Sequence, residues 1–513
     1  MTPPQALPES SSPSMAPVTA NDNVTLVAAG YLNRDGIPDM APDIVFVDLD
    51  GTLIRTDMFV EGVLRLIKQN PFNLFLIFLW LLRGRAVAKT LVARRSRIDP
   101  TTLPYEADFI DYLKNRKAGG AEIIMATAAH WSQARAVARH LGFFDAILAS
   151  SARRNLKGRA KLEAIIQHNR GKGFAYAGDA HADRPIWAES ESCILVNAPK
   201  REAARWQAAR KIERMFNSEQ GRGRAFLKEM RLHQWAKNIL IFVPLITSHE
   251  YGKSGPVLAA LAAFVAFSLC ASGVYFLNDL LDLGADRAHP TKRNRPLAAG
   301  SLPISLGVAG AVGFPLVAFA FGALTLPLPF LLVLAAYFAI TNFYSFFLKK
   351  ISTADVMTLA ILYTIRVIAG AVACSIVLSS WLLAFSVFIF VSLAYLKRYV
   401  EVSALESKPA NGRGYASSDS ETMFSLGTAN AIASVVVLAL YINSDDVRGL
   451  YSSPQLLWLL CLLHLYWTNR LWVGARRGKI NEDPIIFALR DGVSRMVWLS
   501  FAGVILAAQY LSF

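Results

Sequence analysis

Hydrophobic and polar positions divide the chain into two regimes. From residue 44 to about 200, short apolar runs alternate with longer amphipathic stretches. Ile44–Val47, Ile123–Ala126, Ala146–Leu148, Phe174–Ala177 and Ile194–Val196 have the length and β-branched or apolar content of buried parallel strands, with helical segments between them. Beyond residue 230 the pattern changes to uncharged runs one bilayer width long. Val257–Leu277 is one. Leu302–Leu348 holds two, broken at Leu326-Pro327-Leu328-Pro329. Val356–Leu396 holds two more, interrupted near Ser379-Ser380 and carrying only Arg366 as a charge. Thr422–Ser444, Gly449–Asn469 and Met496–Phe513 follow, and Ile239–Thr247 begins a first, shorter one. The pattern predicts a multidomain protein: a doubly wound α/β domain, then an all-α domain of nine transmembrane helices.

The flanks complete this outline. Residues 1–42 are rich in Pro, Ser and Ala and lack a basic start followed by an apolar core, so a disordered tail rather than a signal peptide is expected. Residues 43–200 form the α/β domain, with a cap insertion at about 57–110. Residues 201–228 are expected to be a basic linker, and 229–513 the membrane domain.

Charge supports a membrane orientation. The net charge is +15, but no nucleic-acid reading motif accompanies it, and nucleic acid is not an expected partner. With the N-terminus inside, the inner loops 282–301, 349–355, 397–421 and 470–495 carry 16 Lys or Arg, whereas the outer connections carry only Lys253 and Arg448. That is the positive-inside bias, and it places the α/β domain in the cytosol beside the inner (cytoplasmic) membrane. Cys193, Cys270, Cys374 and Cys461 are scattered without metal-ligand spacing and read as small apolar residues. Within the cap, Phe72–Leu82 is too short to span and is followed by Arg83, Arg85, Lys89, Arg94, Arg95 and Arg97. It reads equally as an interfacial anchor or as a buried cap helix.

Chemistry-bearing residues gather where strands end. The first strand runs into Asp48-Leu49-Asp50-Gly51-Thr52, the second into Thr127, and a later one into Gly178-Asp179 with Asp183 following. One carboxylate attacking phosphorus, a second protonating the leaving oxygen and others on Mg²⁺ would make a phosphoryl-transfer site. This region, about Asp43 to Lys200, resembles the haloacid dehalogenase (HAD) superfamily through its DxDGT signature, Thr127 and GDAHAD. The resemblance implies Asp48 as nucleophile and metal ligand, Asp50 as general acid/base, Thr127 as phosphate binder and Asp179 with Asp183 as Mg²⁺ ligands. The family's lysine is either Lys157 or Lys161.

In the membrane half, Asp279, Asp282 and Asp286 fall at i, i+3 and i+7, on one side of a helix if it continues. Three carboxylates at a membrane boundary are tolerable around a divalent cation, and nearby Lys292 and Arg295 suit a metal–diphosphate complex better than a bare metal. The stretch Asn278-Asp279 through Arg295-Pro296 resembles the first aspartate-rich signature of the UbiA prenyltransferase superfamily, over about Arg231 to Phe513. It implies that Asn278, Asp279, Asp282 and Asp286 bind Mg²⁺–diphosphate, assisted by Lys292 and Arg295. The second aspartate pair of aromatic prenyltransferases is missing: Tyr395-Leu396-Lys397-Arg398-Tyr399-Val400-Glu401 stands there. Together with Arg231–Asn238, Tyr344, Lys349-Lys350, Asp355, Arg366, Asp483-Pro484 and Asp491, this resembles the branch of decaprenyl-phosphate phosphoribosyltransferases. The implied substrates are phosphoribosyl diphosphate and a polyprenyl phosphate, whose phosphates need cations that Lys237, Lys349, Lys350, Arg366, Lys397 and Arg398 would supply, with Tyr344 also in the substrate site. Glu401 would pair with a cation or bind a second metal. The competing expectations are an aromatic polyprenyltransferase of quinone or lipid biosynthesis and a non-catalytic transporter or anchor.

Overall fold

The computed structural model describes residues 42–217, 221–403, 414–444, 447, 449–480 and 483–511. The expected tail and three of the counted loop cations, Lys408, Arg413 and Arg448, lie outside the described residues. The chain divides into two compact units, one of residues 1–62 and 77–220, the other of residues 63–76 and 221–513.

The first unit is a parallel sheet of six strands: β1 Ile44–Val47, β2 Glu122–His130, β3 Ala146–Ser150, β4 Ala175–Gly178, β5 Ser192–Val196 and β6 Ile212–Phe216, in the order β3-β2-β1-β4-β5-β6. Alternation along the strands explains its two apolar layers. Val45, Val47, Ile123 and Met125 pack on one face with Phe109 and Leu113, and Phe46, Ile124 and Tyr176 on the other with Ile186 and Trp187. Register then aligns the strand ends: Val47 lies beside Met125 on one flank and Ala177 on the other. Asp48, one residue after Val47, and Thr127 and Asp179, two residues after Met125 and Ala177, therefore gather toward one sheet edge.

Two sequence expectations need correction here. Residues 201–228 are not a plain linker: Lys200–Ala208 is a helix, and β6 adds a sixth strand beside β5. Buried Ile212 and Phe216 and the buried Glu213 explain why a stretch so rich in arginine is still part of the sheet. Thr127 lies inside β2 rather than at its end, because β2 continues past an irregularity to His130.

In the second unit, seven helices among the described residues are long and apolar enough to cross a membrane: Ser254–Leu281, Ile304–Thr325, Leu328–Phe346, Ala354–Ala373, Ser380–Ser403, Ser417–Ile442 and Gly492–Tyr510. The protein is an integral membrane protein. Pro327 and Ser380 stand at the expected helix breaks. The first of the nine expected spans is instead a 3₁₀ run, Leu232–Phe242, followed by a single short helix, Val243–Thr247. The expected eighth is the helix Trp458–Arg476, shifted toward its arginines and so less apolar.

Gly370 shows how the unit closes around its polar interior. A Cβ there would stand 1.9 Å from the Ile241 carbonyl oxygen. Only glycine lets the Ala354–Ala373 helix approach the 3₁₀ run so closely. One turn earlier on that helix, Arg366 donates through Nε to Asn238 Oδ1 at 2.8 Å.

Candidate functional sites

In the soluble unit the deciding side chain is Lys161. Its Nζ lies 2.7 Å from Asp48 Oδ2, 2.8 Å from the Tyr176 hydroxyl and 3.4 Å from Asp183 Oδ1. All three ammonium protons are engaged, on a side chain that is 2% exposed. The Tyr176 hydroxyl donates to Asp183 Oδ1 at 2.8 Å, and the Ala180 amide donates to Asp183 Oδ2 at 3.2 Å. Lys157, the alternative, precedes the helix Arg159–Asn169 and is exposed. The structure brings Lys161 to the acids and leaves Lys157 out.

Asp48, Asp179 and Asp183 each place a carboxylate oxygen within 4.8 Å of the others, close enough to hold one ion. Gly51 makes room for this: its φ is +79°, and a Cβ would sit 2.2 Å from Asp179 Oδ2. Asp50 stands off the trio and accepts the Met58 amide at 2.9 Å. Thr127 is fully buried, its Oγ1 accepting the Ala129 amide at 3.0 Å.

Crowding of like charges governs the electrostatics. Burial, then the Asp48 and Asp183 charges, push Asp179 up to about 8. Asp50 is raised well above the usual carboxylate range, by burial first and the Asp57 charge second. Asp48 is raised by burial, against the opposing pull of Lys161. Such a group asks for a cation or a proton. Lys89, placed by the sequence in a basic flank, instead donates to the Ala128 carbonyl at 2.7 Å and reaches Asn155 Oδ1 at 3.4 Å, where Asp50 feels its charge.

The membrane unit handles its acids differently. The helix does not continue through them. Ser254–Leu281 ends, Asp282 forms the corner, and Leu283–Ala288 restarts. The three aspartates therefore do not share one helical face. Arg295 bridges two of them, 3.0 Å from Asp279 Oδ1 and 2.6 Å from Asp286 Oδ2. Arg231 also donates to Asp279, at 2.6 Å. Asp282 is turned to Lys68 Nζ at 2.7 Å and Lys349 Nζ at 3.5 Å, both in this unit. Those two cations outweigh burial and lower its pKa, whereas burial raises Asp286 despite Arg295. Asn278 is half-buried and Lys292 exposed.

Residues 240–483 match the UbiA prenyltransferase family. The decaprenyl-phosphate phosphoribosyltransferase of Mycolicibacterium smegmatis is 33% identical over 297 residues, 56% of this chain and 92% of that protein. The chain belongs to the UbiA prenyltransferase family. The uncharacterized protein y4nM of Sinorhizobium fredii is 36% identical over 472 residues, 90% of each chain, so its similarity takes in the soluble unit as well. Among solved structures, a UbiA homolog from Archaeoglobus fulgidus bound to GPP and Mg²⁺ covers 55% of this chain and 99% of its own, at 16% identity and a TM-score of 0.43. The soluble unit carries its DxDGT stretch from the end of β1 onward, at the edge of a parallel sheet.

Within the UbiA unit, the remaining sequence candidates form two groups. Lys237 and Lys397 meet at Asp483 Oδ2, at 2.7 and 3.2 Å, with the Tyr363 hydroxyl at 3.3 Å. The two lysines outweigh burial and hold Asp483 well below its ordinary range. Arg366 sits near them, among the rings of Tyr337, Tyr363 and Phe267, with centroids 5.2–5.7 Å from its guanidinium carbon. Arg398 belongs elsewhere. It is 1% exposed, paired with the fully buried Asp355 at 2.9 Å and with Glu401, and its Nη2 donates to the Tyr344 hydroxyl at 3.0 Å. Tyr344 in turn donates to Asp355 at 2.7 Å. Arg398 thus joins Tyr344 and Asp355 of other helices to Glu401 of its own helix.

Sequence reasoning missed Lys89, Tyr176 and Glu229. Glu229 is 1% exposed, and burial, followed by a hydrogen bond to the adjoining Asp279 and then that residue's charge, pushes it up to about 8. It stands at the first residue of the stretch read as the membrane domain, just past the basic connector, and nothing local marks an acid that meets Asp279 fifty residues later.

Proposed function

We propose that the UbiA unit transfers a 5-phosphoribosyl group from phosphoribosyl diphosphate to a polyprenyl phosphate, and that the HAD-like unit hydrolyses a phosphate monoester, removing the 5-phosphate from the product. The observation that carries the reading is the cationic cluster of Lys237, Lys397 and Arg366, with Lys397 standing where aromatic prenyltransferases have acids. A donor bearing a 5-phosphate and an acceptor that is itself a phosphate need cations there. The relative from M. smegmatis bears the name of this activity.

Residues of the UbiA unit fit a metal–diphosphate: the buried carboxyl of Glu229 adjoins Asp279, and Asp279 and Asp286 share one arginine. Asp279, Asp282 and Asp286 would hold Mg²⁺, with Asn278, Lys292, Arg295 and Lys349 toward the diphosphate. Bound Mg²⁺ would supply charge neutralisation for the departing pyrophosphate. The bond from ribose C1 to the diphosphate oxygen breaks, and a bond from C1 to a lipid phosphate oxygen forms. That oxygen is already ionised, so positioning by Lys237, Arg366 and Lys397 carries most of the acceleration.

In the HAD-like unit, Asp48, Asp179 and Asp183 would hold Mg²⁺, again neutralising phosphate charge. Asp48 attacks phosphorus, and the ester P–O bond breaks. Asp50, whose raised pKa suits a proton donor, protonates the leaving oxygen. Water then releases phosphate from Asp48. Lys161 and Thr127 hold the phosphate oxygens. Both units would work at the inner membrane on its cytosolic side, with Leu232–Thr247 and Trp458–Arg476 completing nine spans.

The test is incubation of purified protein with radiolabelled phosphoribosyl diphosphate and polyprenyl phosphate, with and without Mg²⁺. Labelled lipid that needs Mg²⁺, is lost in Asp282→Asn and persists in Asp48→Asn is expected. No labelled lipid in the wild type removes the transferase reading. Retention of the 5-phosphate on the wild-type product removes the sequential one.

A further inference from the structure

The cap segment that opens Phe72–Leu82 holds an apolar surface that neither site uses. Eight of its residues are exposed: Phe72, Leu74, Phe75, Leu76, Phe78, Leu79, Leu81 and Leu82. Only Ile77 and Trp80, one turn apart, face inward, and Arg95 covers the Trp80 ring at 4.6 Å. The structure thus overturns the buried-cap-helix alternative. A contiguous apolar patch of this kind is not left to water. The ten-residue helix Asn73–Leu82 is about 15 Å long, half a bilayer core, and cannot cross. Exposed Arg83 and Arg85 follow it directly. Apolar rings beside cations match the boundary between acyl chains and anionic headgroups. The same chain carries seven apolar spans, so a bilayer is always at hand.

The helix is also wired to a site. Gly84, at φ +112°, turns the chain into Arg85–Arg95, whose buried face carries Ala88 and Val92. That helix projects Lys89 onto the Ala128 carbonyl, next to Thr127.

We propose that Asn73–Leu82 lies in the interfacial layer of an anionic bilayer and presents the HAD-like site to phosphate esters borne by lipids in that bilayer. The second half rests on the phosphatase reading above.

The test uses the full chain in nanodiscs of phosphatidylcholine and phosphatidylglycerol, with a bimane label at Phe75→Cys or Phe78→Cys and a control label at Glu163→Cys. Quenching of the cap labels by shallow doxyl lipids, with iodide acting only on the control, is expected. Quenching by iodide and not by doxyl lipid, or by neither, overturns the anchor. The triple variant Phe75→Glu, Phe78→Glu, Leu82→Glu should hydrolyse p-nitrophenyl phosphate within about twofold of wild type. Its hydrolysis of polyprenyl phosphoryl-5-phosphoribose in nanodiscs should fall about tenfold or more. An unchanged lipid rate overturns the delivery role. A wild type that hydrolyses neither ester removes the phosphatase reading and the delivery role with it, while the quenching still decides the anchor.

Discussion

The two acidic sites differ in how their charge is balanced. In the soluble unit, Asp48, Asp179 and Asp183 crowd together around a single lysine, and Asp50 stands near with Lys89. In the UbiA unit each of the three motif aspartates already touches a cation: Asp279 has Arg231 and Arg295, Asp286 shares Arg295, and Asp282 has Lys68 and Lys349. The first is short of positive charge and, on the reading proposed above, would take a bare divalent ion. The second is nearly neutral, so on the same reading an ion would arrive with the negative charge of a diphosphate to occupy the arginines and lysines it displaces. Carboxylate number alone does not define a metal site; the cations around it decide which complex it accepts.

Breaking this contrast should have graded effects. The largest is Asp48→Asn, which should lower hydrolysis of p-nitrophenyl phosphate by at least about 10³-fold, because the bond-forming oxygen is lost, and leave lipid labelling unchanged. Next, Asp279→Asn should reduce labelled lipid by about 10²-fold while phosphate-ester hydrolysis stays at the wild-type rate. Lys161→Ala should reduce hydrolysis by about 10²-fold and Lys157→Ala by less than about twofold, a direct comparison of two lysines four residues apart. Calorimetric titration sharpens the contrast further. With Asp48→Asn removing the soluble site, Mg²⁺ alone should bind only weakly, and pyrophosphate should raise its affinity about tenfold or more; Arg295→Met should make that enhancement smaller. Finally, Arg398→Met should cost about 3–5 kcal/mol by leaving Asp355 buried and unpaired, read as a fall in detergent melting temperature.

Much of this architecture follows from local pattern. Strand-length apolar runs placed five of the six strands and the edge bearing Asp48 and Asp179, because a buried parallel strand must be apolar on both faces. The sixth was hidden, since Ile212–Phe216 includes a glutamate and an arginine whose place in the sheet depends on distant partners: Glu213 is paired with Arg116. Bilayer thickness made seven spans legible as uncharged runs. The Leu232–Phe242 run was harder to see, because its conformation answers to the close approach at Gly370 more than to its own periodicity.

Sequence by itself determined the two-part plan, the apolar spans and the membership of the acidic motifs, since these depend on residues within one helical turn or one strand. Only the tertiary structure chose Lys161 over Lys157, turned Asp282 away from Asp279 and Asp286, and tied Arg398 to Asp355. The reason is physical: a buried charge is tolerated only where a partner reaches it, and which partner does so is set by how helices and strands pack, often across tens or hundreds of residues of chain.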